Sequence, residues 1–359
     1  MSIVKFSDVA HRVNTKEDRF NTDKIFYVGG EHIDSEELIV TNNGIIKGST
    51  IGPMFYCGFK SGDILFVTRN PHLRKCGLVE FDGICSEKTF VIGTKDKNIL
   101  SQEYLAIVMQ SDDFWNYCEE NKSGGVNYFL NWSTLAEYEF DLPPMEEQKT
   151  ISEKVFAAYR LKQSYKKLLS AADEMIKSQF IEMFGSETNK VLLEDVVFVK
   201  DDCRKPINEG VRSEMKEGEL YPYYGATGVV DYINDYITDE ELLCVAEDCG
   251  NYNAGEESAY IIHGKAWVNN HAHLVKMKEG CDIKYLYYYL KIANLMPYVS
   301  GTTRLKLTQK KLKEIPVILP TTDKQKAFVA IAEQADKSKF ELRKSIESID
   351  AVIKSLINS

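Results

Sequence analysis

Apolar residues recur at steps of three and four through one long stretch of the chain: Ile151, Val155, Ala158, Leu161, Tyr165, Leu168, Ala172, Met175, Ile176, Phe180 and Met183. No proline or glycine interrupts residues 146–184, and Gly185 follows. That rhythm is the seam of an amphipathic helix, and a glycine just past the last apolar position is a common stop. A second stretch repeats it with Phe328, Ala332, Ala335, Leu342, Ile346, Ile349, Val352, Ile353 and Leu356, and the chain ends at Ser359. A helix of about 40 residues is roughly 60 Å long at 1.5 Å per residue. A narrow apolar stripe needs a partner. The pattern therefore predicts a free-standing antiparallel pair; the alternative is that each helix packs on its own globular half. Thr322-x-x-Gln325 reads as a capping box for the second helix, whereas Pro143-Pro144 and the acidic Glu146 and Glu147 open the first.

The remaining segments alternate short β-like runs with turn residues. Residues 64–68, 77–81 and 88–92 read as strands in the first half, with a helix around 102–118. In the second half 228–233, 241–246, 259–262 and 273–276 read as strands, and the tyrosine-rich 283–295 as the matching helix, with its tyrosines in the core. The two halves share their closing segment. Leu135-Ala-Glu-Tyr-Glu-Phe-Asp-Leu-Pro-Pro-Met-Glu-Glu-Gln148 and Leu312-Lys-Glu-Ile-Pro-Val-Ile-Leu-Pro-Thr-Thr-Asp-Lys-Gln325 align at a constant offset of 177 positions, from 148 to 325. That period is far beyond a solenoid repeat and marks duplication of a whole domain-plus-helix unit. The predicted fold is α+β: two mixed α/β domains, residues 1–144 and 186–320, separated by two long antiparallel helices, 145–185 and 321–359, that form a coiled-coil-like spacer.

Composition narrows the function. Of 359 residues, 44% are hydrophobic and 27% charged, an ordinary globular balance. No apolar run is long enough for a membrane span, and the N-terminus lacks a signal-peptide core. The eight cysteines are scattered without a CxxC pair, which reads as reduced thiols in a cytoplasm. A net charge of −10 argues against a non-specific nucleic-acid coat, so any such role needs local basic surfaces or a partner. There is no Walker loop, no GxSxG elbow and no Asn-Pro-Pro-Tyr or Asp-Pro-Pro-Tyr tetrapeptide. Cys244 and Cys249 are spaced too widely for a tight zinc pattern, and His271 and His273 alternate across a strand, so no metal site is expected.

Further residues carry a resemblance. Leu142-Pro-Pro-Met-Glu-Glu-Gln148 leads into the first long helix, after Gly62-Asp-Ile-Leu-Phe66 and Phe81-Asp-Gly-Ile-Cys-Ser86. The second half carries Tyr224-Gly-Ala-Thr-Gly228, Trp267-Val-Asn-Asn-His-Ala-His273, Tyr285-Leu-Tyr-Tyr-Tyr-Leu290 and Gly301-Thr-Thr-Arg-Leu-Lys-Leu-Thr308. In their order and duplication these resemble the specificity (S) subunit of Type I DNA restriction–modification systems, over essentially the whole chain. The chain departs from the pattern at Pro320-Thr-Thr-Asp-Lys-Gln325, where an acidic pair is more usual. The resemblance implies a non-catalytic subunit with two target-recognition domains, each reading half of a split double-stranded DNA sequence. Methyltransferase subunits would dock on the helices and bind S-adenosylmethionine, the chain itself holding no cofactor, and a motor/endonuclease subunit adds cleavage. The rival reading is a protein-interaction scaffold with duplicated binding domains.

Candidate DNA contacts follow from charge and chain position. Arg69-Asn-Pro-His-Leu-Arg-Lys75 is taken as the most basic stretch, giving Arg69, His72, Arg74 and Lys75. Arginine fits guanine edges as a fork, and lysine serves mainly phosphate. Lys122 and Asn127, with Arg304 and Lys306, flank the glycine loops that precede the shared closing segments; Arg204 and Lys205 complete the set. Partner docking is assigned to Gln148, Ile151, Val155, Tyr165, Gln325, Phe328, Leu342 and Ile349 on the two helices.

Overall fold

The computed structural model describes residues 2–302 and 304–358; Met1, Thr303 and Ser359 lie outside the described residues. The chain divides into two compact units, one formed by residues 1–166 with 344–359 and the other by 167–343. Each is α+β and repeats one plan.

In the first unit a five-stranded sheet runs in the order Ala10–Val13, Thr89–Thr94, Ile64–Val67, Cys76–Val79, Ile39–Val40. Its inner strand Ile64–Val67 is buried throughout because it has two covered faces. Ile64 and Phe66 enter the core beneath the helices, against Leu105, Phe114 and Trp115. Leu65 and Val67 point the other way, into a core shared with Val28, Phe59 and Cys85. Side chains alternate across a strand, so an unbroken apolar run suits a strand covered on both sides. The second sheet follows the order Gly44–Ile45, Phe26–Val28, Gly83–Ser86, Phe55–Phe59, with its two central strands parallel.

The second unit copies this. Its inner strand Leu242–Ala246 sends Leu243 and Val245 toward the helices, and Leu242 and Cys244 toward Ala266 and Val268. Its other sheet, Val229–Ile233, Tyr221–Tyr224, Lys265–Val268, Thr238–Asp239, again has a parallel central pair. The tyrosine-rich helix, Ile283–Ile292, buries Tyr285, Tyr288 and Tyr289. The helix expected over 102–118 is two, Gln102–Val108 and Asp112–Glu120, because Ser111 caps the second by accepting from the Phe114 N–H.

The long helices are Met145–Phe184 and Thr322–Ile357, and in each unit the segments they contribute are antiparallel. They are not free-standing. Val155, Phe156 and Tyr159 belong to the helix-side core of the first unit, together with Ile353. Ile176, Phe180, Phe184, Phe328, Val329, Ala332 and Ala335 belong to that of the second. Fully burying side chains of this size is worth roughly 1.5–3 kcal/mol each, so joining a domain core outweighs an isolated seam. The seam itself is interrupted: Leu161, Leu168, Met175 and Val352 are exposed. At those levels the helices meet through charge. Lys162 lies between Glu37 and Asp350 in the first unit, and the buried Lys339 lies between Asp173 and Asp336 in the second. Gly185 does end the first helix, since a Cβ there would stand 2.5 Å from the Ile181 carbonyl oxygen.

The repeated glutamine has a structural role. Gln148 is fully buried; its Oε1 accepts from the Ser101 N–H at 3.0 Å, and its Nε2 donates to the carbonyls of Ile99 (2.8 Å) and Pro143 (2.9 Å). Gln325 repeats the arrangement with the Asp282 N–H (2.8 Å) and the carbonyls of Gly280 (2.9 Å) and Pro320 (2.8 Å). Ser101 and Asp282 are themselves the caps of domain helices. The capping box read at Thr322-x-x-Gln325 is therefore not what Gln325 makes, because its amide is committed to the domain. Nor do Gln148, Val155, Gln325 and Phe328 present a docking face, since all four are buried in their own units. Ile151, Tyr165, Leu342 and Ile349 are half-buried, with Ile151 and Ile349 against the first core.

Replacing Gln148 or Gln325 by alanine strands one N–H and two carbonyls. Each variant is expected to lose about 2–4 kcal/mol of stability, read by thermal or denaturant unfolding. A loss below about 0.5 kcal/mol would show that water satisfies these groups.

Candidate nucleic-acid interface

The two units share one further construction, where the inner strand runs out beside the glycine loop. In the first unit, Thr68 follows the strand; its N–H donates to the Lys88 carbonyl (2.9 Å), and its own carbonyl accepts from the Leu130 N–H (2.9 Å). In the second, the Glu247 N–H donates to the His271 carbonyl (2.8 Å), and its carbonyl accepts from the Leu307 N–H (2.8 Å). The loops close alike, by paired backbone bonds between Ser123 and Phe129 and between Ser300 and Lys306. Gly124 and Gly301 both take positive φ, 100° and 92°, and a Cβ at either would strike the carbonyl of the residue three positions on, Asn127 or Arg304. Only glycine fits there. Ser123 and Ser300, like Leu130 and Leu307, keep the 177-position offset.

The shared backbone carries opposite chemistry. In the first unit the strand end supplies a cation and the loop supplies rings. The Arg69 guanidinium lies 5.2 Å from the Phe129 ring centroid, and the Lys122 ammonium lies 4.4 Å from that of Tyr128 while pairing with Glu119 at 2.6 Å. Such cation–π contacts orient a charge without neutralising it. In the second unit the strand end supplies carboxylates and the loop supplies cations. Asp248 pairs with Arg304 and with His271 Nδ1, and Glu247 pairs with Lys306 at 2.9 Å and Arg204 at 2.7 Å. Burial pushes the Glu247 carboxyl up, but hydrogen bonds from Lys306 and Arg204 together with the nearby charges of His273 and Arg204 hold the group below its ordinary value. Asp201 behaves in the same way: burial raises it, while His273, Gln309 and Arg204 together bring it down.

The candidate residues divide by exposure. Arg304 and Lys306 keep 73% and 54% of their side-chain surface, and Asn127 and His72 are also exposed. Arg204, at 14%, is an internal brace bonded to Asp201, Glu247 and the Ala272 carbonyl. Lys205 is exposed, its ammonium 5.9 Å from the Trp267 ring centroid. The basic run 69–75 does not act as one surface. Asn70 and Arg74 both take positive φ around the turn Pro71–Leu73, and this turns its end inward. Arg74 pairs with Glu36 and Asp112, both at 2.8 Å, and Lys75 donates to the Gly30 carbonyl at 2.6 Å. The denser basic stretch is 304–313, with Arg304, Lys306, Lys310, Lys311 and Lys313 and no acidic residue.

Sequence reasoning missed Glu247 and Asp248 as holders of Arg304 and Lys306, and Tyr128 and Phe129 as supports for Lys122 and Arg69. The available signal was the Ser-Gly pair recurring at the same offset as the glutamines. His273 is buried, with its ring nitrogens facing Asp201 and the Leu307 carbonyl, whereas His271 is partly exposed. This is the separation expected of alternate strand positions. Among the described residues no cluster of histidine, cysteine, aspartate and glutamate could hold a metal ion, and no helix is long and apolar enough to cross a membrane.

Comparison with known proteins identifies the domain. The Type I restriction modification DNA specificity domain matches twice, over residues 3–171 and 186–349. A putative type I restriction enzyme specificity subunit of Haemophilus influenzae is 36% identical over 149 residues, 42% of this chain and 37% of the relative. The EcoprrI specificity subunit of Escherichia coli is 26% identical over 34% of this chain and 29% of its own length. A putative specificity subunit of Methanocaldococcus jannaschii is 23% identical over 94% of this chain and 87% of the relative. The matched part thus spans little more than a third of the first relative. In fold, the chain is similar to the Type-I restriction-modification system S subunit from M. genitalium, with a TM-score of 0.59 at 15% identity, covering 99% of this chain and 94% of that one. It is also similar to a chain of a type I R-M system solved in a study of complex assembly, with a TM-score of 0.57 at 18% identity, covering 99% and 96%. With the domain matched once in each half of a duplicated fold, the chain belongs to the Type I restriction modification DNA specificity family.

Proposed function

We propose that this chain is the non-catalytic specificity subunit of a Type I restriction–modification complex, in which each unit reads one half of a split duplex target. The observation that carries the reading is the matched junction of strand end and glycine loop, where both units hold cations: Arg69 and Lys122, half-buried against rings, in the first, and Arg304 and Lys306, exposed, in the second. Cations near phosphate supply affinity, and forked or planar donors near base edges supply sequence. A protein scaffold has no need of cations at matched positions, and this favours the DNA reading over its rival.

The net charge of −10 bears on how the chain works. The cations at the second junction are already paired with Glu247 and Asp248, so the isolated chain grips phosphate weakly. Methyltransferase subunits supply the remaining grip and bind S-adenosylmethionine, while this chain holds no cofactor. They dock along the long helices, where exposed apolar residues such as Leu161, Leu168, Met175 and Ile181 remain. A motor/endonuclease subunit completes the restricting form, and the assembly works in the cytoplasm.

Two outcomes test the reading. Expressed with its methyltransferase subunits, the chain is expected to direct methylation to two short half-sites with a fixed gap, read by single-molecule sequencing. A contiguous motif, or a complex that methylates no motif, contradicts it. Inserting one heptad into each long helix adds roughly 10 Å, about three base pairs at 3.4 Å each. The gap is expected to lengthen with both half-sites unchanged, and altered half-sites would contradict the division of labour between units and helices.

A further inference from the structure

Beyond the shared Ser123/Ser300, Gly124/Gly301 and Leu130/Leu307, the side chains of the two junctions differ, yet a guanidinium recurs. Position for position, Thr68 corresponds to Glu247 through the shared backbone bonds, so Arg69 corresponds to Asp248, and on the loop Asn127 corresponds to Arg304. A guanidinium therefore stands at the same junction in both units, supplied from opposite sides. In the first unit it comes from the strand end and lies over a loop ring; in the second it comes from the loop and is held by a strand-end carboxylate.

Packing does not account for this recurrence. A structural arginine in this protein is Arg204, enclosed by two carboxylates and a carbonyl, or Arg74, tied between Glu36 and Asp112. Arg212 is likewise bonded to Asp231 and the Ile207 carbonyl. Arg304 instead keeps most of its surface with Asp248 as its ion-pair partner, and among the described residues Arg69 makes no ion pair. Arg12 lies over the Phe90 ring, but the matched edge strand of the second unit, Val197–Val199, carries no cation. The recurring pair is thus Arg69 and Arg304.

Resting on the specificity-subunit reading, we infer that Arg69 and Arg304 each read a guanine, one in each half-site, through a forked pair of hydrogen bonds to O6 and N7. The fork is the arginine geometry that matches those two acceptors in the major groove. Phe129 and Asp248 hold the guanidinium before DNA arrives, one by its face and the other by an edge, so little side-chain freedom is lost on contact. Lys122 and Lys306, point charges beside them, serve the flanking phosphates. Asp248 is then a positioning residue.

The test uses the full complex with its methyltransferase subunits and methylated-base sequencing. Arg69→Ala is expected to relax one G·C position of one half-site, on the order of tenfold in preference, and to leave the other half-site intact. Arg304→Ala does the same in the other half-site, and Asp248→Asn weakens the same position as Arg304→Ala. Arg69→Lys and Arg304→Lys keep the charge but not the fork, and are expected to relax the same positions. Co-purification of each variant with its partners, with an unchanged unfolding transition, establishes that it is folded. Uniformly lower methylation at an unchanged motif makes the two arginines phosphate contacts and overturns the inference. So does a half-site without a G·C pair, or both variants acting on one half-site. Absence of a split motif in the wild-type complex would count against the specificity reading itself, and is seen before any variant is made.

Discussion

The buried amides of Gln148 and Gln325 are the contacts on which the arrangement within each unit depends. A primary amide has one acceptor and two donors, and here an N–H at the cap of a domain helix meets the first, while two loop carbonyls take the others. Inside a protein a half-satisfied polar group costs more than a complete one contributes. The arrangement is therefore close to all-or-none: the domain helix, the preceding loop and the first turn of the long helix keep their mutual geometry or lose it together. Glutamine suits the position because its side chain reaches across one helical turn with both kinds of hydrogen-bonding group at the tip.

With the long helices anchored, the rest of each unit follows from two-sided burial. The inner strands Ile64–Val67 and Leu242–Ala246 carry apolar side chains on both faces, so their ends are the first points at which polar chemistry reaches the surface. The glycine loops cross at those ends, fixed by backbone bonds that do not depend on side-chain identity. Side chains there are free to differ, and they do: aromatic supports in one unit, carboxylate supports in the other.

Much of the architecture was legible in the chain. Long proline-free periodic segments left little choice but helix, and the constant offset exposed the duplication before any contact was known. The failures share a cause: partners distant in sequence. Gln325 looks like a capping residue until Asp282, 43 positions away, is seen to donate to it. Arg74 looks like exposed charge until Glu36 and Asp112, each 38 positions away, are placed beside it. The helix pair is there, but periodicity reports that a face is buried without reporting that the domain cores bury much of it, so the helices are not free-standing. The helix break at Ser111 was a different lapse, since Ser-Asp-Asp is a local cap signal that an apolar pattern running through it obscured.

We propose that one construction, used twice, meets DNA at two places. Gly125 and Thr302 stand at equivalent, exposed tips of the two loops. A photo-crosslinking amino acid placed at each, one at a time, followed by mapping of the crosslinked bases in the DNA-bound complex, tests this. Crosslinks are expected to be confined to one half-site from position 125 and to the other half-site from position 302. Crosslinks from both positions to the same half-site, or none from either in a complex shown to be bound, would contradict it.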